Sequence, residues 1–481
     1  MIKDQESYAD LNYISSQENS KVGGSRGVDR KLSYFGRVNY DYNNKYLFQA
    51  TVRRDAAGSS ILPVENRWGT FPSFSAGWVI SNEEFFLQQS PISHLKLRAS
   101  WGQNGSLSNL GGYNYSSTIV STGGATDFIT WGGLSVPLLY PLPDGTYAQV
   151  SHPNVLGNRE LRWETSEQFD IGVDLRMFRD RLGFTADYYV KKTKDLITGN
   201  TPPFEAGNSA SPINGGNVEN KGLDFELSWR DHIGDFKYGI SANLSTLKNK
   251  VTYLNPTISR IGGATVNNTW GATAFEKGLP VWYFRGYVTD GIDSSTGDIR
   301  IKDLNEDGVI STGDFDYIGS AIPDITYGAT LNMEYKGFDF SMFIQGQAGN
   351  DILMGILRTD RPMTNKLEIF YTDRWTPSNP NAKRPSATVD SKYWNSDQML
   401  FDGSYLKIKQ IQVGYTLPSS LCNTLHIGNT RVYASLEDFF TFTDYPGMDP
   451  EATSGGNANV GIDRGFYPIS KKILFGLSLN F

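Results

Sequence analysis

Residues Ile325–Tyr335 read ITYGATLNMEY. The odd positions, Ile325, Tyr327, Ala329, Leu331, Met333 and Tyr335, are apolar or aromatic. The even positions, Thr326, Gly328, Thr330, Asn332 and Glu334, are small or polar. Successive side chains of a strand point to opposite faces, so this stretch reads as a β-strand with one apolar and one polar face. Lys336-Gly337 follows as a glycine turn, and Phe338–Gly346 takes up the alternation again. The pattern recurs in Leu95–Trp101, Phe169–Leu175, Leu182–Val190, Leu223–Trp229, Tyr238–Thr246 and Ile473–Phe481. Weaker versions occupy Leu32–Tyr42, Tyr46–Asp55, Thr70–Ile80, Tyr405–Leu417 and Arg431–Thr441. No convincing amphipathic helix of more than two or three turns accompanies them.

Strand length and face chemistry narrow the class. The periodicity gives about thirteen strands of roughly 9–13 residues, whereas soluble sandwich strands usually run about 5–6. A tilted membrane-spanning strand needs about 9–11. The polar faces carry Lys96, Arg98, Asp170, Asp174, Asp187, Asp224, Glu226 and Glu334. A dry core does not accept such charges unpaired, and a water-filled lumen does. The connections alternate as well. Asp41–Lys45, Phe178–Arg181, Asp231–Asp235 and Lys336-Gly337 are short, while Gly102–Glu164, Lys191–Gly222, Asn249–Asp324 and Gly349–Ser404 are long. Short turns at one end and long loops at the other are the pattern of an outer-membrane barrel. A one-sided antiparallel sheet with a solvated face is the blander alternative. The terminal strand, with Ile473, Phe475, Leu477, Leu479 and Phe481 on one face, resembles the signal read by the barrel-assembly machinery.

Composition agrees and excludes other classes. The 481 residues include 26 Tyr, 27 Phe, 10 Trp and 50 Gly, a mixture that favours strands and turns over helices. Net charge is −7, so no basic field exists to hold phosphates and nucleic acid is not an expected partner. Cys422 is the single cysteine, which rules out an intrachain disulfide or a Cys-rich zinc site. His94, His152, His232 and His426 have no metal-pair spacing. No apolar run is long enough for a membrane helix, and Met1–Asp10 lacks signal-peptide character. P-loop, H-E-x-x-H, G-x-S-x-G and dinucleotide-binding motifs are all missing, so no enzyme is expected.

Two constellations carry possible ligand chemistry. Asp303–Asp314 (DLNEDGVISTGD) fits a twelve-residue calcium loop. Asp303, Asn305 and Asp307 would supply side-chain oxygens, Val309 its carbonyl and Asp314 the closing carboxylate, with Gly308 at the bend. Calcium there would order a loop; the alternative is an acidic turn that binds nothing. Trp131, Trp270, Trp282, Tyr283, Tyr393 and Trp394 lie among Asn, Gly and Thr in the long connections. Of these Trp131, Trp270, Trp282, Tyr283 and Trp394 are the candidate substrate platforms, although for each of them loop packing is the simpler role. At strand ends, Tyr40, Tyr42, Tyr46, Tyr188, Tyr189 and Phe442 suit an interfacial girdle or cross-strand aromatic pairs.

The chain resembles the SusC/RagA group of TonB-linked outer-membrane transporters. The matching segments run from Leu32–Asp55 and Asn66–Phe86 through Leu95–Gly105, Leu161–Leu175, Leu182–Ile197 and Asn217–Trp229. They continue in Asp303–Ile310, Ile318–Ile352, Asp402–Pro418 and Arg431–Glu451, which ends in YPGMDPE. The resemblance implies a barrel of about 22 strands around an N-terminal plug. It also implies import of oligosaccharides or peptides, a SusD-like surface lipoprotein as lid, a TonB complex as energy source and contact with outer-membrane lipids. About thirteen strands and no plug or TonB box depart from that pattern. The expectation is therefore an all-β chain, with residues 31–481 as the C-terminal part of a transmembrane antiparallel barrel and 1–30 as a loop or preceding-strand remnant. Two other readings stay open: a self-contained passive channel of about 14 strands, which needs its first and last strands to pair, and a secreted calcium-ordered glycan-binding β protein.

Overall fold

A computed structural model of the chain describes residues 30–479 apart from 87–89, 122–127, 132–133, 138, 142–146, 150, 200–208, 267–269, 357–366, 388–390, 425–426 and 452–455. One large antiparallel sheet of 14 strands dominates it. In chain order these are β1 (Leu32–Tyr42), β2 (Tyr46–Ala56), β3 (Trp68–Val79), β4 (Ile92–Ser106), β5 (Glu164–Met177), β6 (Leu182–Thr198) and β7 (Ile213–Ile233). The second half comprises β8 (Phe236–Thr246), β9 (Lys248–Leu254), β10 (Ile325–Tyr335), β11 (Phe338–Ala348), β12 (Tyr405–Thr416), β13 (Thr430–Thr443) and β14 (Lys472–Leu479). Each strand pairs with the next, except that the long β7 is flanked on one side by both β8 and β9, and β8 then pairs with β10. Its Asp224–Ile233 part pairs with β8 and its Gly216–Lys221 part with β9.

The period-two pattern places the apolar residues on one face. Val38 is 65% exposed, Ile171 51% and Phe475 83%, and similar residues continue this outward band across the sheet. Such exposure is untenable in water and ordinary against lipid tails. The opposite face carries the charged and amide side chains and lines clefts beside Lys96, Arg98, Asp170, Asp174 and Glu226. Tight hairpins close one end. In the β10–β11 turn Lys336 and Gly337 both adopt positive φ, 45° and 87°, as a right-twisting two-residue hairpin requires. Aromatic pairs ring this end: Tyr42 with Tyr46, Phe178 with Trp229, Phe236 with Tyr335, and Phe338 with Tyr415. Tyr189 does not join them. It follows Tyr188 in the strand, so it must face the lumen, where its hydroxyl donates to the Thr246 carbonyl at 3.3 Å.

The long connections all leave from the other end. The connection 349–404 has the bounds the side-chain pattern implied, and the other three are shorter: β6 runs on to Thr198 and β7 begins at Ile213, so most of Lys191–Gly222 is strand. Those residues alternate no apolar face because they stand beyond the membrane band. Backbone ladders and cross-strand ion pairs such as Lys192–Glu219 and Lys194–Glu167 hold them. Three connections, 255–324, 349–404 and 444–471, fold onto one another around a shared core of Trp270, Phe284, Leu353, Tyr393 and Ile462. Among the described residues β1 pairs only with β2, and β14 only with β13. The sheet is open, and the closed channel of about 14 strands is not what this chain forms here, because closure needs those two edges to meet.

Candidate functional site at the barrel mouth

The lumen wall is built from charges that neighbouring strands bring together. Arg98 on β4 faces Gly172 on β5, and a Cβ at Gly172 would overlap the Asp187 carboxylate. That gap lets Arg98 reach across β5: Nη2 lies 2.5 Å from Asp187 Oδ2 and Nε 3.2 Å from Asp174 Oδ2. Asp170 accepts from Ser100 Oγ at 3.2 Å and Gln168 Nε2 at 2.9 Å. Four of the inward charges anticipated from the sequence, Arg98, Asp170, Asp174 and Asp187, thus sit in one hydrogen-bonded wall. Glu334 pairs with Lys237 at 3.2 Å near the hairpin end.

A second network, which the sequence reading missed, ties the last loop to this wall. Lys407 and Lys409, two apart in β12, lie on the same side of the strand, and a bulge at Lys409 shifts the register of the residues that follow. Lys407 is 2% exposed, with Nζ 2.6 Å from Asp449 Oδ1 and 2.5 Å from Glu451 Oε2. Lys409 Nζ is 3.2 Å from Glu451 and 2.5 Å from Asp438. Gln345 and the Tyr405 hydroxyl donate to the other Glu451 oxygen at 2.7 and 3.1 Å. Burial by itself would raise the Asp449 and Glu451 carboxyls. The hydrogen bonds and charge of Lys407 outweigh it, joined by Lys409 at Glu451, and both groups titrate below their ordinary values. The available signal was two lysines two apart on the polar face of a strand, followed by the acidic YPGMDPE stretch.

At the top of the wall, where β5, β6, β7 and β9 rise beyond the apolar band, a cleft of about 560 Å³ opens against the loop core. Trp282, Phe275, Val281, Asn109, Asn220 and Asn249 are among its lining residues. Asn249 fixes the cleft's shape: its Oδ1 accepts from the Val281 N–H at 2.7 Å and its Nδ2 donates to Asn220 Oδ1 at 2.6 Å. Trp282 sits at φ 56°, in the left-handed region. Such a backbone costs a bulky residue on the order of 1–3 kcal/mol and persists only where packing dictates it. Here the indole packs on Phe275 at 5.6 Å.

The other candidate aromatics are distributed differently. Trp270 and Tyr283 are buried, Trp270 donating to the Arg285 carbonyl at 2.9 Å and Tyr283 to Glu276 Oε2 at 2.9 Å. Burial and that carboxylate push the Tyr283 hydroxyl well above the usual phenol range. Trp394 packs between Phe370 and Tyr393 in the loop core, tilted 59° to the first ring and edge-on to the second. Trp131 lies in the short strand Phe128–Trp131, paired with Leu134–Pro137, where only the backbone is described. Of the four whose side chains are described, Trp282 lines the cleft and the other three do not.

The Asp303–Asp314 loop is closed by its own hydrogen bonds. Asp314 is buried and accepts from the backbone N–H groups of Ser311 at 2.8 Å, Leu304 at 2.9 Å and Asn305 at 3.4 Å. These donors hold its carboxyl below the ordinary range against the opposing effect of burial. Asp303 Oδ2 accepts from Gly308 N–H at 2.8 Å, while its Oδ1 is buried without a partner. Asn305 Oδ1 and Asp307 Oδ1 accept from the Asp307 and Val309 N–H groups. Among the described residues no three His, Cys, Asp or Glu side chains converge on one point.

An apolar outer face, a charged inner face, aromatic-ringed hairpins at one end and packed loops at the other define a wall of an outer-membrane β-barrel. Comparison with known proteins gives the family. The model for "TonB dependent receptor-like, beta-barrel" matches residues 3–320. A TonB-dependent receptor of Formosa agariphila is 32% identical over 94% of this chain and 45% of its own length. TonB-dependent receptor SusC of Bacteroides thetaiotaomicron is 29% identical over 94% of this chain and 44% of its own. The structure of the RagAB peptide transporter superimposes with a TM-score of 0.77 at 25% identity, covering 94% of this chain and 48% of that one. The chain belongs to the TonB-dependent receptor-like β-barrel family, within its SusC/RagA group, and is an outer-membrane protein. It spans about half the length of the curated relatives it matches.

Proposed function

We propose that this chain forms the C-terminal wall of a TonB-driven importer of oligosaccharides or peptides. The observation that carries the reading is the open 14-stranded sheet, with lipid-facing apolar and lumen-facing charged sides, which superimposes on about half of the RagAB peptide transporter chain. An open sheet leaves two rows of unpaired backbone groups in the membrane, and the remaining strands of a larger barrel would satisfy them. The loop core stands where a SusD-like lipoprotein would lid the mouth, and the TonB complex would act through the plug of the full barrel. The protein has a binding and guiding role and performs no catalysis. Uptake of a fluorescent oligosaccharide pool and a fluorescent peptide pool by native cells tests this. Deleting the protein, or collapsing the proton-motive force, abolishes uptake of at least one pool. Unchanged uptake of both after deletion overturns the proposal.

Calcium is the ion proposed for Asp303–Asp314, as a loop-ordering ligand. Twelve-residue spacing supports it, as does the partnerless buried Oδ1 of Asp303 near Asp314. Asp303, Asn305, Asp307, the Val309 carbonyl and Asp314 would hold it. Titration calorimetry on the protein in detergent should give calcium binding that a D303N/D307N variant loses. Identical heats for both proteins remove the ion from the reading.

A further inference from the structure

We infer that the mouth cleft is a docking subsite for uncharged sugar residues of an oligosaccharide, with Trp282 as its platform. This rests on the importer reading above and specifies what the mouth receives.

Three features of the cleft select that chemistry. The first is its composition. Among the described lining residues there is no lysine, arginine or histidine, and the single ionisable group is Glu164, whose Oε2 already accepts from the Ile197 N–H at 3.3 Å. A sulfated, phosphorylated or uronic ligand would lose its hydration there and gain no cation in return. The second is the pairing of surfaces. The half-buried indole of Trp282 presents an apolar plane, and the carboxamides of Asn109 and Asn220 stand on the same lining, beside Asn249, which is engaged with Val281 and Asn220. A pyranose offers the matching pair: a C–H face for the ring and hydroxyls that both donate and accept, as carboxamides do. Thr198 on this wall also keeps a buried hydroxyl with no hydrogen-bond partner among the described residues.

The third feature is position and rigidity. Glu164 opens β5, Thr198 ends β6, Asn220 lies in β7 and Asn249 in β9, so one wall is barrel strand above the lipid band. The opposite wall, Ile261, Phe275 and Trp282, belongs to the loop between β9 and β10. A ligand seated here touches the membrane wall and the extracellular cap together, on the route from the mouth to the lumen. The positive φ of Trp282 and the Asn249 clamp on Val281 fix the indole before any ligand arrives, which reduces the ordering cost of binding. The cleft volume of about 560 Å³ falls inside the roughly 300–1,000 Å³ typical of small-molecule sites.

The test uses the full-length protein in detergent and three probes at millimolar concentration. These are a mixture of neutral hexasaccharides (maltohexaose, cellohexaose and mannohexaose), hexagalacturonate, and hexa-alanine. Tryptophan fluorescence and calorimetry should report binding of at least one neutral hexasaccharide and none of hexagalacturonate. Trp282→Ala should weaken that binding at least tenfold, Trp282→Phe by less, and Asn220→Ala several-fold. Heat-modifiable migration on gels verifies that each variant is folded; Asn220→Ala, away from the strained backbone, carries the test if Trp282→Ala is not. Binding only of hexa-alanine makes the mouth a peptide site, and tight binding of hexagalacturonate removes the selectivity argument. No binding by the wild type, or unchanged binding by folded Trp282→Ala and Asn220→Ala, overturns the subsite. Uptake by cells separates the two levels: loss of the subsite with uptake intact leaves the importer reading standing, whereas absence of any uptake defeats that reading itself.

Discussion

The sheet and the loop cap of this chain invert one another. On the sheet, Val38, Ile171 and Phe475 lie exposed on the outer face while Arg98, Asp174 and Asp187 line the inner one. In the cap, Trp270, Phe284 and Leu353 are sealed inside, as in any water-soluble domain. The same apolar residue types follow opposite rules because the two regions have different solvents. In lipid the outer surface is the apolar environment, so no internal apolar core is needed and the lumen can hold charge. In water the loops must bury their own apolar surface, at roughly 25 cal/mol per Å². The functional consequence is a mouth of defined shape, since Val281, Trp282 and Phe275 pack on Val218, Val251 and Leu254 of the strands beside the cleft.

Substitutions can break this contrast. Trp270→Ala empties a fully buried site in the cap and should cost about 3–5 kcal/mol of local stability, read as faster proteolysis of the loops with the barrel still heat-modifiable. If the loops stay equally resistant, the cap has no core of the kind described. A charge on the lipid face comes next. Ile240→Arg, in the middle of β8, should cost about 2–4 kcal/mol in urea unfolding from lipid vesicles. Asn243→Arg, three residues away on the lumen wall, should change it by no more than about 0.5 kcal/mol. Equal effects at the two positions would contradict the assignment of the faces.

A pH titration gives the smallest effect and sharpens the link between the regions. The Asp449 and Glu451 carboxyls are depressed in the folded state, so their contribution to holding loop 444–471 is present above the ordinary carboxylate pKa of about 4. It fades as pH falls through their lower folded values. Hydrogen exchange in 444–471 should therefore stay flat from pH 7 to 5, after correction for intrinsic rates, and rise only below about pH 4. In Lys407→Met the two carboxylates lose their buried partner, and the loop should open at pH 7. Release of the wild-type loop between pH 7 and 5 would show that the latch does not depend on these groups.

Most of the sheet was legible because its rule is local. All the stretches read as strands, from Leu32 to the terminal Ile473 segment, are strands of the one sheet, and their alternation told lipid face from lumen face. Where alternation ceased, as over Lys191–Gly222, the reading fell short, because strand pairing outside the membrane needs no apolar face. The candidate site was less legible. Trp270 and Trp282 look alike in sequence, yet one is sealed and the other borders a cleft. Lys407 gave no sign of being buried, because its acidic partners lie in the YPGMDPE segment, beyond the whole of β13.

The antiparallel membrane wall, its two faces, the end that carries the loops and the family were all readable from the residues in order. Each of these follows from a two-residue period, the distribution of turn residues, or segments with recognisable order. Only the folded chain shows that three loops share one core, that Lys407 latches the last of them, and which of the described aromatics borders the cleft. Those depend on which distant segments meet. Burial is a property of the surroundings a side chain finds, and no local pattern of residue types contains it.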